Sequence, residues 1–465
     1  MLKNIIDWTN DALYSYILII LLVVGGLYFS IRTKFVQFRL LKEQFRAVTE
    51  KPKDGKGVSS FQALMVSTAS RVGTGNIVGV ASAICLGGFG SVFWMWVIAI
   101  IGAASAFVES TLAQIYKRKC PDGCYGGPAY YIEKGLKCRP LAIVFSIFLV
   151  LTYGVGFNML ASYNLQRTFS SYSFYNSYTP WIIGFVIAAL VAFCLFGGGK
   201  RIIKATSFIV PIMGAGYILI AIVITLINAK ALPSIFREIF TSAFDFKAIF
   251  GGIAGSCLMY GIKRGLFSNE AGVGSAPNAS ASAEVAHPVK QGLVQVLSVF
   301  IDTLLVCSAT AFMCMVSGAT HNPNIDGADY VQQAASLTLG KFGPIFITVA
   351  MVLFAFTTLL GNLFYVDKSF NFLLKKTPSK KFNTVYYIVA SLLIFVGAGL
   401  SSDLLWGIAD VTMGGMTLIN IPVIIILGKY AFRALNDYTR QRKAGVAPVF
   451  KAKDIDLPHE TDYWN

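Results

Sequence analysis

Ser70-Arg71-Val72-Gly73-Thr74-Gly75-Asn76 lies in the middle of an apolar run, Phe61–Leu86, in which Arg71 is the single charge. A run of that length crosses a bilayer, since a membrane helix needs about 20 apolar residues. A continuous lipid-facing helix tolerates such a stretch poorly. Non-helical backbone survives at membrane depth only inside protein or beside water. Close packing is the ordinary reason for glycine in membrane helices. Two Gly, an Arg, a Thr and an Asn within seven residues point instead to a broken helix whose backbone is open to a ligand.

The rest of the chain supports a membrane setting. Of 465 residues, 55% are hydrophobic and only 13% charged, with a mean hydropathy of +0.64. Soluble domains carry about 25% charge, so this composition excludes a disordered chain and an ordinary soluble enzyme. Charge-poor runs recur at Ala12–Ser30, Phe61–Leu86, Ser91–Tyr116, Leu141–Leu165, Trp181–Phe196 and Ile203–Asn228. They continue at Ala248–Phe267, Val289–Gly318, Phe342–Tyr365, Val385–Leu400 and Leu404–Gly428. The expected fold is an all-α integral membrane protein with 11 transmembrane helices.

The net charge of +16 resides in the loops. With the N-terminus outside, 32 of the 39 Lys and Arg fall in cytoplasmic segments and six in external ones, leaving Arg71 inside a span. That asymmetry predicts a multi-pass protein of the cell (inner) membrane, N-terminus outside and C-terminus cytoplasmic. It also assigns the basic charge to topology and lipid headgroups rather than to nucleic acid. Cys120, Cys124 and Cys138 share one basic loop but lack a nearby His, a poor zinc site. No catalytic triad or His-Glu-x-x-His appears, so no enzyme is expected.

A second interruption, Tyr260-Gly261-Ile262-Lys263-Arg264-Gly265, lies late in the seventh run. Spans 2–6 and 7–11 form two groups of five, and an odd number inverts the second group. Interrupted helices at matching places of inverted halves mark the binding site of secondary transporters. The organisation expected is an N-terminal span and basic loop (1–60), a first repeat (61–228), a second repeat (248–432) and a basic cytoplasmic tail (433–465).

A transporter of this kind holds a carboxylate on backbone N–H groups at a half-helix N-terminus, which Thr74 and Gly75 supply. Sodium prefers oxygens: unwound carbonyls at Ala69 and Val72, completed by the hydroxyls of Thr357 and Thr358. Those hydroxyls can equally bond back to their own helix. Arg71 needs a partner, with Glu109, Asp302 and Asp410 as candidates. It can also serve as a tethered charge in place of a second cation.

The residues Val72–Ala81, Phe93-Trp-Met-Trp96, Gly126–Leu136, Arg264–Pro277, His287–Leu293 and Asp302–Leu305 carry a resemblance. The chain resembles the alanine or glycine:cation symporters, sodium-coupled amino-acid carriers, over about residues 10–450. The resemblance implies a LeuT-type core of five plus five inverted helices behind one extra N-terminal helix. It implies sodium as the coupling ion, no other cofactor, and import of a small neutral amino acid by alternating access. It puts the substrate carboxylate on Thr74 and Gly75, sodium among Ala69, Val72, Thr357 and Thr358, and pocket contacts near Leu258, Gly261 and Ile262. Where alanine carriers have Gln on the fourth span and Trp on the ninth, this chain has Ala161 and Asn362. Both changes enlarge the pocket, and Asn362 adds an amide, so glutamine stands beside alanine and glycine as substrate. A proton-coupled or exchange mode stays open at Arg71.

Overall fold

The computed structural model describes residues 2–50, 52, 57–120, 123–245, 256–458 and 460–464. Its long helices are α1 (Lys3–Arg32), α2 (Ser60–Arg71), α3 (Gly75–Gly87), α4 (Gly90–Ile115), α5 (Arg139–Arg167) and α6 (Thr179–Leu195). They continue with α7 (Gly198–Ile227), α8 (Cys257–Asn269), α9 (Pro288–Val316), α10 (Phe342–Leu373), α11 (Lys380–Gly397) and α12 (Ser402–Lys443). Among the described residues seven of these are long and apolar enough to cross a membrane, and α2 with α3, bent by 52°, makes an eighth. The expected 11 require α6, α8 and α11 as well, which have 17, 13 and 18 residues. Residues 248–255, including the Gly251 and Gly255 pair and the first part of the expected second repeat, lie outside the described residues.

Large apolar side chains such as Ile20, Phe185, Phe193, Phe208, Leu226 and Val385 face outward, as lipid contact requires. The interior is dominated by α4, whose small residues let α8 and α9 approach closely. A Cβ on Gly261 would lie 2.5 Å from the Ser91 carbonyl oxygen, and one on Gly265 would lie 2.6 Å from Ile98. These two glycines, expected to interrupt the seventh span, instead serve packing, and α8 runs unbroken through them.

The second break comes five residues later, at Glu270–Ala276. Glu270, Gly272 and Gly274 all have positive φ (52°, 85° and 92°) before the short helix Pro277–Ser280. The Lys263 and Arg264 charges do not mark the end of a span either. They pair with Asp410 of α12 at 2.9 and 3.3 Å, inside the bundle.

At the end of α12 the chain turns back over one face of the bundle, here the tail face. The tail is packed, not solvated. The Phe450 N–H donates to the Ala286 carbonyl, and Trp464 Nε1 donates to the Gln114 carbonyl at 2.7 Å. Lys117 Nζ sits 3.8 Å from the Tyr463 ring centre. Asp462 bridges to Lys134 and Arg118. Burial pushes the Lys117 ammonium down to about 8.

Candidate functional site

The first break is built from its own sequence. Ser59 starts α2 with a reciprocal capping box to Gln62. α2 ends where Val72 turns out of helix (ψ 86°). The Asn76 side chain then accepts the Gly73 N–H at 2.8 Å. Its amide nitrogen reaches Asp302 Oδ1 at 2.6 Å and Ser268 Oγ at 3.0 Å. Asn76 thereby ties the break to both α8 and α9. Thr74 and Gly75 open the outgoing half-helix, where N–H groups have no partner one turn back. Ala69 and Val72 lie at the carbonyl end of the incoming half.

The second break lies against the first. Ser70 Oγ is 3.0 Å from Glu270 Oε1, and a Cβ on Gly75 would fall 2.6 Å from the Phe267 ring. The turn at 270–276 is held by α4 and α12. Glu109 Oε1 accepts the Gly272 N–H at 3.3 Å, and Asn420 donates to both Glu109 Oε2 (2.8 Å) and the Gly272 carbonyl (2.9 Å).

Between the breaks is a cavity lined by Ser70, Arg71, Gly73, Thr74, Gly75, Phe157, Phe267 and Thr358. Thr74, Gly75, Arg71 and Thr358 are thus brought together as expected from the sequence. Thr358 Oγ1 is buried and has no hydrogen-bond partner among the described residues. A Cβ on Gly73 would lie only 2.1 Å from it. Its neighbour Thr357 is turned back on its own helix, donating to the Leu353 and Phe354 carbonyls at 3.0 and 3.1 Å.

Ala161 is buried one turn beyond Phe157 on α5, outside the lining. Leu258, Gly261 and Ile262 lie near the start of α8, also outside it; Phe267, further along, supplies that helix's contact. Asn362 stands behind Ser70, its Oδ1 at 2.7 Å from Ser70 Oγ and its Nδ2 at 3.0 Å from Asn158 Oδ1.

None of the acids expected to partner Arg71 forms an ion pair with it among the described residues. Arg71 Nη1 donates to Gln295 Oε1 at 2.9 Å, while Nε and Nη2 have no partner among the described residues. Asp302 is taken by Asn76, Ser268 and Thr303, and Asp410 by Lys263 and Arg264.

The cavity is closed on both sides. Away from the tail face, Phe267 packs between Phe157 (ring centres 4.4 Å apart) and Trp406 (4.8 Å), its ring tilted against both. Above it Arg264 lies 3.7 Å over Trp406 and reaches Asp410. Toward the tail face α2 is zipped to α9 by Ser60–Gln291, Ser67–Gln295 and Thr68–Ser298.

Two broken helices crossing at a closed polar cavity agree with what known proteins show. The sequence model of the sodium:alanine symporter family matches residues 1–452. The chain belongs to this family. It is 44% identical over 462 residues to the amino-acid carrier protein AlsT of Bacillus subtilis (strain 168), covering 99% of this chain and 97% of that one. It is also 44% identical over 461 residues to the probable sodium/glutamine symporter GlnT of the same organism, covering 99% and 95%. Among solved structures, that of MhsT in complex with L-phenylalanine superposes with a TM-score of 0.59 at 16% identity, covering 83% of this chain and 93% of MhsT. That likeness shows a LeuT-type fold. Family membership makes the protein a multi-pass sodium-coupled amino-acid symporter rather than an enzyme.

Sequence reading missed Asn76, Phe157, Phe267, Ser70 and Glu270 as site residues. The signal for the last was present, since Asn269-Glu270-Ala271-Gly272-Val273-Gly274 repeats the pattern of polar residues and spaced glycines seen in the first break.

Proposed function

We propose that the protein imports a small neutral amino acid with sodium, by alternating access around the cavity between the two breaks. The observation that carries this reading is Thr358 Oγ1, a buried oxygen without a partner set against Gly73 at the carbonyl end of α2. A hard cation suits such an oxygen, and the Ala69 and Val72 carbonyls at the same end of α2 are the further ligands this reading assigns to it. Thr357 is spent on its own helix and contributes less. The substrate carboxylate sits on the Thr74 and Gly75 N–H groups, below the Phe157–Phe267 layer. Arg71 supplies a fixed positive charge in the lining. The membrane topology that accompanies this reading has 11 spans arranged as one helix plus inverted repeats of five. Its N-terminus is outside and its tail face cytoplasmic, in the cell membrane.

Alanine or glycine is the expected substrate, with glutamine as the second reading. Glutamine gains support from GlnT, a relative that its name describes as a probable sodium/glutamine symporter, whereas Ala161, outside the lining, does not widen the cavity. The Asn362 amide, engaged by Ser70 and Asn158, must exchange partners to serve a substrate. The test is uptake of tritiated alanine, glycine and glutamine into liposomes under a sodium gradient, repeated with choline. Sodium-independent uptake of all three would overturn the coupling, and preference for glutamine would decide for the larger substrate.

A further inference from the structure

Glu270 is fully buried and adopts φ 52°, which is uncommon for a side chain other than glycine. Its two oxygens join different elements. Oε1 faces Ser70 Oγ of α2 at 3.0 Å, and Oε2 accepts from Ser275 Oγ at 2.6 Å, across the second break. Ser70 stands between Ala69 and Val72, the two carbonyls of the proposed sodium site.

The Ser70 hydroxyl has one proton but two acceptors in reach, Glu270 Oε1 and Asn362 Oδ1. Amide oxygen and nitrogen are exchanged by a flip that leaves the heavy-atom positions in place. Turning over both Asn158 and Asn362 resolves the conflict. Asn158 Nδ2, a buried donor lacking a partner in the unflipped arrangement, then donates to Asn362. Asn362 Nδ2 donates to Ser70 Oγ, and the Ser70 proton goes to Glu270. Every bond runs one way, from α5 through α10 and α2, and ends on a carboxylate, the strongest acceptor of the four.

We propose that Glu270 is a positioning residue that couples the sodium site to the second broken helix through Ser70. The inference rests on the sodium-coupled reading above. An ion drawing on the Ala69 and Val72 carbonyls fixes the backbone that carries Ser70. Ser70 then holds Glu270, and Glu270 holds Ser275 and the turn at 270–276. An empty site relaxes Ser70 and frees that turn toward the tail face. Linkage makes the effect reciprocal, so a held turn tightens sodium binding by the same factor.

Hydrogen exchange read by mass spectrometry on the full-length protein in nanodiscs, in sodium or in choline, tests this without knowledge of the substrate. In the unaltered protein sodium is expected to slow exchange in peptides covering 69–76 and 270–283. Ser70→Ala and Glu270→Gln should keep the slowing at 69–76 and lose about tenfold or more of it at 270–283, as for removal of a hydrogen bond to a charged group. Ser70→Thr, which keeps the hydroxyl, should retain more of the slowing at 270–283 than Ser70→Ala. Retained slowing at both segments in Ser70→Ala and Glu270→Gln would overturn the proposal. Loss at both would also overturn it, by making these residues part of the ion site itself. An unaltered protein that ignores sodium at both segments would refute the sodium reading on which the coupling stands, a failure visible before any variant is made.

Discussion

Gly73→Ala is the most discriminating single change at the proposed ion site. The new Cβ would fall 2.1 Å from Thr358 Oγ1 and 3.2 Å from both Thr358 Cβ and Cγ2. Ordinary contact begins at 3.4 Å, so the hydroxyl must retreat by more than 1 Å. Rotating Thr358 about χ1 one way brings its methyl into the place of the oxygen, and the other way turns the hydroxyl out of its place beside Gly73. The remaining escape is a separation of α2 and α10, which Gly361 opposes, since its α-carbon packs on the Ser70 backbone. Overpacking of this kind costs about 1–3 kcal/mol, and a cost borne by the ion-bound state raises the sodium needed for half-activation about 5–150-fold. The assay is sodium activation of uptake in proteoliposomes, beside the melting temperature with and without sodium. A bound ion stabilises only the folded state, so Gly73→Ala should lose most of its sodium-dependent melting shift. The double variant Gly73→Ala/Thr358→Ala removes the clash at the hydroxyl and should recover the melting temperature in choline while sodium activation stays poor. Unchanged half-activation in Gly73→Ala would show that Thr358 Oγ1 does not face the ion.

Four further outcomes are expected. Thr358→Ala should raise the sodium requirement about tenfold while Thr357→Ala leaves it nearly unaltered, because only Thr357 bonds its own helix; equal effects would contradict the division. Gly75→Val places a branched side chain where a single Cβ already meets Phe267 at 2.6 Å, so substrate binding measured by calorimetry should vanish, and normal affinity would remove Gly75 from the carboxylate site. Trp464→Ala deletes a buried ring and its bond to Gln114, a loss of about 3 kcal/mol expected as faster hydrogen exchange at 114–120, whereas unchanged protection there would show an idle tail. Lys117, held at about 8 against an ordinary 10.5, carries its burial penalty in full below pH 8 and sheds it as pH rises toward 10.5; protection of the same peptide should therefore increase from pH 7.5 to 9.5, and a decrease would refute the sign.

The first break was legible because its chemistry is local. Gly73, Thr74, Gly75 and Asn76 are consecutive, and Asn76 closes the turn on Gly73 three residues back. The second break was placed too early because Gly261 and Gly265 carry the same letter for a different reason. Their spacing of four puts both on the face of α8 that meets Ser91 and Ile98 of α4, a contact that sequence spacing alone does not distinguish from unwinding. Glu270 was passed over because an acid beside glycines looks like a loop, and the residues that make it structural, Ser70 and Ser275, lie in different elements. The charges at Lys263 and Arg264 misled for a related reason. They read as part of an interruption of the seventh run, but Asp410, far along the chain, draws both into the bundle.

Arg71 shows how the same physics can select a partner that counting charges does not. A buried cation was expected to seek a carboxylate, and Glu109, Glu270 and Asp302 all lie within reach of its field. Each of these acids is already held by neutral donors, Glu109 by Asn420 and a backbone N–H, Glu270 by two serines, Asp302 by Asn76, Ser268 and Thr303. A carboxylate satisfied in this way gains less from a direct ion pair, and an unpaired cation keeps donors in reserve. Arg71 spends Nη1 on Gln295, which also binds Ser67 and so belongs to the α2–α9 seam. Its Nε and Nη2 remain unspent, on a residue that lines the cavity. Under the proposed function those donors meet the substrate's carboxylate from the tail side, while Thr74 and Gly75 hold it from the other half-helix. Opening toward the tail face must part the α2–α9 seam, and the Gln295 contact of Arg71 lies in that seam. Substrate charge and inner opening therefore act on one side chain.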